Sequence, residues 1–189
     1  MSTLFVAAIE EETAALSRAA DVVHVGVGKV QAATTLARVL AERGDMIDLV
    51  VNLGTAGGLH AQPLGTIVEV ARVHQHDLDV AGIVDLLGRR MPGGPIDVAA
   101  PAGTTGRLAT GDRLIADPAD RARLALDADV VDMEGYAIAA VCRAFDVPLR
   151  IVKAVSDGAD GDAATTWHDA LERCAQDLAA WVAHHGPGG

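Results

Sequence analysis

Short apolar runs rich in Val and Ile recur along the chain, separated by stretches whose apolar positions fall three or four apart. The runs at 4–9, 22–27, 47–53, 66–73 and 149–155 read as buried strands, and 29–43, 117–127, 133–145 and 165–185 read as helices. Strand alternating with helix predicts an α/β fold with a mostly parallel sheet covered on both faces. Residues 88–106, "GRRMPGGPIDVAAPAGTTG", are rich in Gly and Pro and read as one long loop. The tail "HHGPGG" is expected to fray. Neither a repeat nor a linker interrupts the pattern, so residues 1–189 are expected to form one domain. In open sheets of this kind ligands bind beyond the carboxyl ends of the strands, so the residues just after each run are where chemistry is sought.

Composition narrows the function classes. Half of the residues are hydrophobic, yet charges break every apolar run before membrane-spanning length. No basic stretch followed by an apolar one opens the chain, so a secretory signal is not expected. The two cysteines, Cys142 and Cys174, lie in alanine-rich helical stretches and read as small buried residues in a reducing cytoplasm rather than a disulfide. A net charge of −11 without any Arg- or Lys-rich run argues against nucleic acid or an anionic membrane as partner. A small molecule is the partner this leaves.

Several strand ends carry unusual residues. "GVGKV" lacks the glycine and the Ser or Thr of a P-loop, with Val23 and Val30 in those places, and Gln31 replaces the third glycine of a dinucleotide fingerprint. A tight turn into a helix is the simpler reading. In "NLGTAGGL", Gly54, Gly57 and Gly58 either let the backbone approach a ligand with its amides free or make an ordinary strand-to-helix turn. "SDGADGD" lacks the alternate-position spacing of a calcium loop. Asp160 and Asp162 read as turn acids capping the next helix, whereas Asp157 belongs at the tip of the buried run "RIVKAVS". "HQHD" at 74–77 has a His-x-His spacing but no third ligand motif, and reads as a polar loop.

Two helical patterns single out carboxylates. Glu134 shares a face with Ile138, Val141 and Phe145, so it either is hydrogen-bonded inside or faces a cleft. In the triplet "EEE", Glu12 lines up with Ala15, Leu16 and Ala19, while Glu10 and Glu11 fall on more polar or smaller faces and read as solvated. Glu12, Glu134 and Asp157 thus come from separate segments and are candidates to converge on one rim, an arrangement suited to hydrolysis.

Together, "AAIEEETAAL", "GVGKVQAA", "NLGTAGGL", "HDLDV", "TGDRLI", "DMEGYAIAAVCRAFDVP" and "VKAVSDGAD" resemble, in order, the methylthioadenosine/S-adenosylhomocysteine nucleosidases of the purine nucleoside phosphorylase superfamily. The resemblance implies a central mixed sheet flanked by helices, a homodimer, no metal, no organic cofactor and a purine nucleoside as substrate. It assigns Asp157 as the acid that protonates purine N7, and Glu12 as the group that orients and deprotonates the attacking water. Glu134 would accept hydrogen bonds from the ribose hydroxyls, with Met133 packing beside the sugar. Thr55 and Lys153 would border the water, Gly57 lies in the ligand-approaching run, and the backbone at Ile115 with Ser156 would hold the base.

The same resemblance separates water from phosphate as nucleophile. Phosphorolytic relatives carry an Arg in the strand before the glycine run, where Asn52 stands here, and further Args near the N-terminus, where the first seventeen residues hold neither Arg nor Lys. Hydrolysis is therefore expected; futalosine hydrolysis and phosphorolysis are the alternatives. The chain departs from the pattern at three places. Leu114 replaces an aromatic over the purine, Lys153 replaces an Arg, and Ile83 is the nearest match to the residue a partner subunit brings to the 5′ substituent. The chain is also shorter than the pattern between about 90 and 130.

Overall fold

A computed structural model describes residues 2–18, 20–89 and 92–186, so Ala19 and the last three residues of the tail lie outside the described part. Eight strands form one sheet: β1 (Thr3–Ala7), β2 (Val22–His24), β3 (Leu49–Gly58), β4 (Ile67–Gln75), β5 (Ile96–Asp97), β6 (Gly106–Thr110), β7 (Val130–Asp132) and β8 (Leu149–Asp157). Five helices accompany them: α1 (Lys29–Arg43), α2 (Val80–Leu87), α3 (Pro118–Leu124), α4 (Gly135–Ala144) and α5 (Ala163–His185).

The sheet is mixed. β1 pairs in parallel with β2 and β3, β3 with β8, and β6 with both β4 and β7. β4 runs antiparallel to β8 and to β5, and β7 antiparallel to the end of β3. The pairings β3–β8–β4–β6–β7–β3 close a circuit, so five strands form a ring from which β1 and β2 extend as an open wing. Closure removes the edges of β3 and β8 and makes every residue of β8 buried.

Alternation along the strands sorts side chains to two faces. Leu4, Val6, Val50 and Ile151 pack with Leu36 and Leu40 of α1 and Ile138 of α4. Phe5, Val51, Leu53 and Val152 turn the other way, onto Cys174, Leu178 and Trp181 of α5. Burying each such leucine contributes about 1.5–3 kcal/mol. Cys142 and Cys174 are buried and unpaired, as the alanine-rich surroundings predict. No helix among the described residues is long and apolar enough to cross a membrane.

Several expectations change. The run 47–53 is longer than its apolar core, because β3 continues through the glycines to Gly58, so "GTAGG" is strand rather than a turn, and a strand follows it. β5, β6, β7 and α2 were not foreseen; "HQHD" lies at the end of β4, and 88–106 contains β5 within its loop. The first two residues of the tail, His184 and His185, close α5. "EEET" is a single 3-10 turn, Glu10–Thr13, not an α-helix, so the face shared with Leu16 does not form.

Candidate active site

Segments following β1, β2, β6 and β7, together with β3, β8 and α5, line a cavity of about 590 Å³. Small-molecule pockets occupy roughly 300–1,000 Å³. Glu12, Thr55, Gly57, Leu114, Ile115, Met133, Glu134 and Asp157 all line it. Lys153 and Ser156 do not; both are buried beneath the wall. Lys153 Nζ nonetheless lies near the Glu12 carboxylate: it and Glu12 Oε1 each stand 3.1 Å from where a Cβ at Gly54 would lie.

Glu12 is 5% exposed although its neighbours Glu10 and Glu11 face solvent. The tight turn after β1 carries it inward, where four donors meet its carboxylate. Oε1 accepts from the Thr55 amide at 2.7 Å and the Thr55 hydroxyl at 2.9 Å. Oε2 accepts from the Ala8 amide at 3.0 Å and weakly from the Ile9 amide at 3.5 Å. The last contact is marginal, which leaves Oε2 able to accept from a further group in the cavity.

Asp157 closes β8 and lines the same cavity. Its Oδ1 accepts from the Ala159 amide at 2.8 Å and its Oδ2 from the Ser156 hydroxyl at 2.9 Å. Burial raises its pKa, and the nearby Asp160 charge adds to this; the two hydrogen bonds oppose the shift without cancelling it. Gly57 makes room for it: a Cβ there would stand 2.9 Å from Asp157 Oδ1. The glycines of "GTAGG" thus leave room for neighbouring side chains, and Gly57 also lines the cavity.

Glu134 occupies the N-cap position of α4 but makes no side-chain cap; instead its Oε1 accepts from the Gly28 amide at 2.7 Å. Gly28, at φ +88°, turns the chain from β2 into α1. The simple turn read from "GVGKV" is therefore present, and it also holds a cavity carboxylate. Phe145, once grouped with Glu134 on a helical face, is the exposed C-cap of α4.

The sequence profile of the phosphorylase superfamily matches residues 20–184. The 5′-methylthioadenosine/S-adenosylhomocysteine nucleosidase of Anoxybacillus flavithermus is 35% identical over 171 residues, covering 79% of this chain and 72% of the relative. The chain belongs to that nucleosidase family of the phosphorylase superfamily. Two solved structures share its fold. The Helicobacter pylori member of the family, crystallised with butyl-thio-DADMe-Immucillin-A, matches with a TM-score of 0.82 at 21% identity over 97% of each chain. Futalosine hydrolase of the same organism matches with a TM-score of 0.81 at 21% identity, over 96% of this chain and 95% of the other.

The cavity and its surroundings also hold residues the motifs did not single out. Asp132, just before Met133, is buried and pairs with Lys153 Nζ at 2.9 Å. It also accepts from the Thr110 hydroxyl at 2.6 Å and the Gly135 amide at 2.9 Å, so it anchors the start of α4 and with it Glu134. Burial alone would lower the Lys153 pKa, but Asp132, Glu12 and Glu134 outweigh it and hold the ammonium charged. A charged residue inside the run "RIVKAVS" was the one available sign of such a pair. Trp167 and His168 of α5 line the cavity as well, from a helix whose sequence shows no motif.

Burial, followed by the Asp132 charge, raises the Glu134 pKa from 4.5 to about 7, against the pull of Lys153 and the Gly28 amide. Native protein therefore holds this proton where unfolded chain has lost it. The Glu134 contribution to stability is lost as pH rises from about 4.5 to about 7. Glu134→Gln, which can still accept from Gly28, is expected to raise Tm relative to wild type at pH 8 and to lose that advantage near pH 4. Thermal unfolding across that range checks the sign.

Proposed function

We propose that this nucleosidase hydrolyses the N-glycosidic bond of 5′-methylthioadenosine or S-adenosylhomocysteine and releases adenine. The observation that carries the reading is a single cavity lined by Glu12, Glu134 and Asp157, which come from separate segments. Asp157, with its raised pKa, delivers a proton to purine N7 and makes the base a better leaving group. Glu134 accepts from the ribose hydroxyls beside Met133 and so holds the sugar in place for cleavage. Glu12 orients and deprotonates the attacking water. Leu114 covers the base and the backbone at Ile115 holds its edge, while Ser156 acts from beneath through its bond to Asp157. The reaction draws on side chains and water, with no metal or organic cofactor required.

Water rather than phosphate is supported by where the donors point. The amides of Ala8 and Thr55, which an oxyanion would need, already serve the Glu12 carboxylate. Asn52, in the strand position of the phosphorylases' Arg, is buried and donates to the Val6 and Leu53 carbonyls. Among the described cavity residues the permanent cation is Arg113, and it is paired with Asp120.

A homodimer in the cytoplasm completes the reading. α2 carries Val80, Ile83, Val84, Leu86 and Leu87 yet has no buried residue, and Leu86 is 84% exposed. Leu78, Val27 and Val30 add further exposed apolar surface. A second copy covering α2 would also bring Ile83 towards the 5′ substituent. A monomer mass by analytical ultracentrifugation at micromolar concentration would remove this part of the reading.

The decisive experiment offers purified protein methylthioadenosine, S-adenosylhomocysteine and futalosine, with and without phosphate. Adenine and free sugar without phosphate are expected. Hypoxanthine released from futalosine alone would favour the futalosine hydrolase whose fold it shares. Phosphate-dependent formation of ribose 1-phosphate products would mark a phosphorylase, and binding without turnover a silent purine-binding module.

A further inference from the structure

The geometry points to Trp167 as a positioning residue that fixes the Glu12 carboxylate through the Thr55 hydroxyl. This rests on the reading of Glu12 as the group that activates water. Trp167 Nε1 lies 2.9 Å from Thr55 Oγ1, and Thr55 Oγ1 lies 2.9 Å from Glu12 Oε1. An indole nitrogen only donates, and an ionised carboxylate only accepts. Thr55 has one hydroxyl proton, so the direction is fixed at both ends: Trp167 donates to Thr55, and Thr55 donates to Glu12. Linked bonds of this kind polarise and strengthen one another.

The chain of bonds has two consequences. Thr55 cannot give its proton to substrate or water, because Trp167 holds the hydroxyl in the rotamer that spends it on Glu12. Oε1 is thereby occupied twice, by the Thr55 amide and hydroxyl, so Oε2 is the oxygen left to meet water. The relay also ties the base to α5: the indole ring lines the cavity, the ring nitrogen reaches β3, and β3 carries Thr55. α5 also packs against the Glu10–Thr13 turn itself, so the relay adds a specific bond to that contact.

Trp167→Phe keeps the aromatic wall and removes only the N–H. It is expected to lower kcat by about 10-fold, because a misdirected base loses rate rather than substrate affinity, with KM changed less than about 2-fold. A change confined to KM, or an unchanged kcat, would show Trp167 to be wall alone and overturn the proposal.

A second readout does not depend on turnover. The chain has two tryptophans, and the other, Trp181, donates to Glu69 at 3.0 Å in a separate cluster. Proton NMR should therefore show two indole N–H signals, with Trp167→Phe identifying one. Glu12→Gln is expected to shift the Trp167 signal through Thr55 and leave the Trp181 signal in place. If neither signal moves, no relay joins the indole to Glu12. Should wild-type protein fail to turn over any nucleoside while the Trp167 signal responds to Glu12, the functional reading falls and the relay stands.

Discussion

Asp157→Asn is expected to lower kcat by roughly 10²–10⁴-fold, the range that a positioned general acid supplies. The substitution keeps the shape of the side chain, and the surroundings can accept it. Asn Oδ1 still takes the Ala159 amide, and Asn Nδ2 can donate to Ser156 Oγ, whose own proton then turns to the Ala56 carbonyl 3.4 Å away. What disappears is the ionisable proton. Burial lifts the Asp157 pKa above its ordinary value, so wild-type rate should fall as pH rises through that raised value. The Asn variant should lack that dependence, with Tm and binding of a non-hydrolysable nucleoside analogue little changed. Steady-state kinetics across pH, with thermal unfolding as the control, measure each part. A variant with wild-type rate would remove Asp157 from the chemistry.

Much of this architecture was legible locally. β1, α1, β8 and α5 each carry enough apolar periodicity to be read alone, and their placement fixed where the site would lie. The strands that close the ring were harder. β7 is three residues long, and β6 is a five-residue segment with two glycine or threonine ends, so neither makes a readable run. The antiparallel β4–β8 pairing joins residues more than eighty positions apart and leaves no local trace. α2 escaped notice because it is only eight residues long, although Val80, Ile83, Val84 and Leu87 fall on one face.

The site shows the same division. Glu12 was singled out by a helical wheel although its segment makes only one 3-10 turn; the inward direction held, while the geometry behind it did not. Periodicity reports which way a side chain leaves the backbone, which is enough for direction. It does not report what waits at the other end. The Asp132–Lys153 pair and the Trp167–Thr55 bond both join distant segments, so neither partner alone reveals them.

Glu12→Ala is expected to lower kcat by roughly 10²–10⁴-fold, and sodium formate is expected to restore part of that loss. The argument starts from the donors the side chain leaves behind. Ala8, Ile9 and Thr55 direct three amides, and Thr55 its hydroxyl, at the space the carboxylate filled. Stripped of Glu12, these groups form a small anion site with room for a formate, which carries the same two oxygens. A bound formate would accept the same bonds and present its remaining lone pair to water. Glu12→Gln serves as the contrast: its amide nitrogen must face either Thr55 or the Ala8 and Ile9 amides, donor against donor, so it loses rate and fills the space against formate. Rate measured against formate concentration should therefore rise to saturation in the Ala variant and stay flat in the Gln variant. Free phosphate competes for the same donors, so it should inhibit the formate-rescued reaction while leaving the wild-type enzyme unaffected. If formate accelerates neither variant, the carboxylate at position 12 holds the loop in shape and the water finds its base elsewhere.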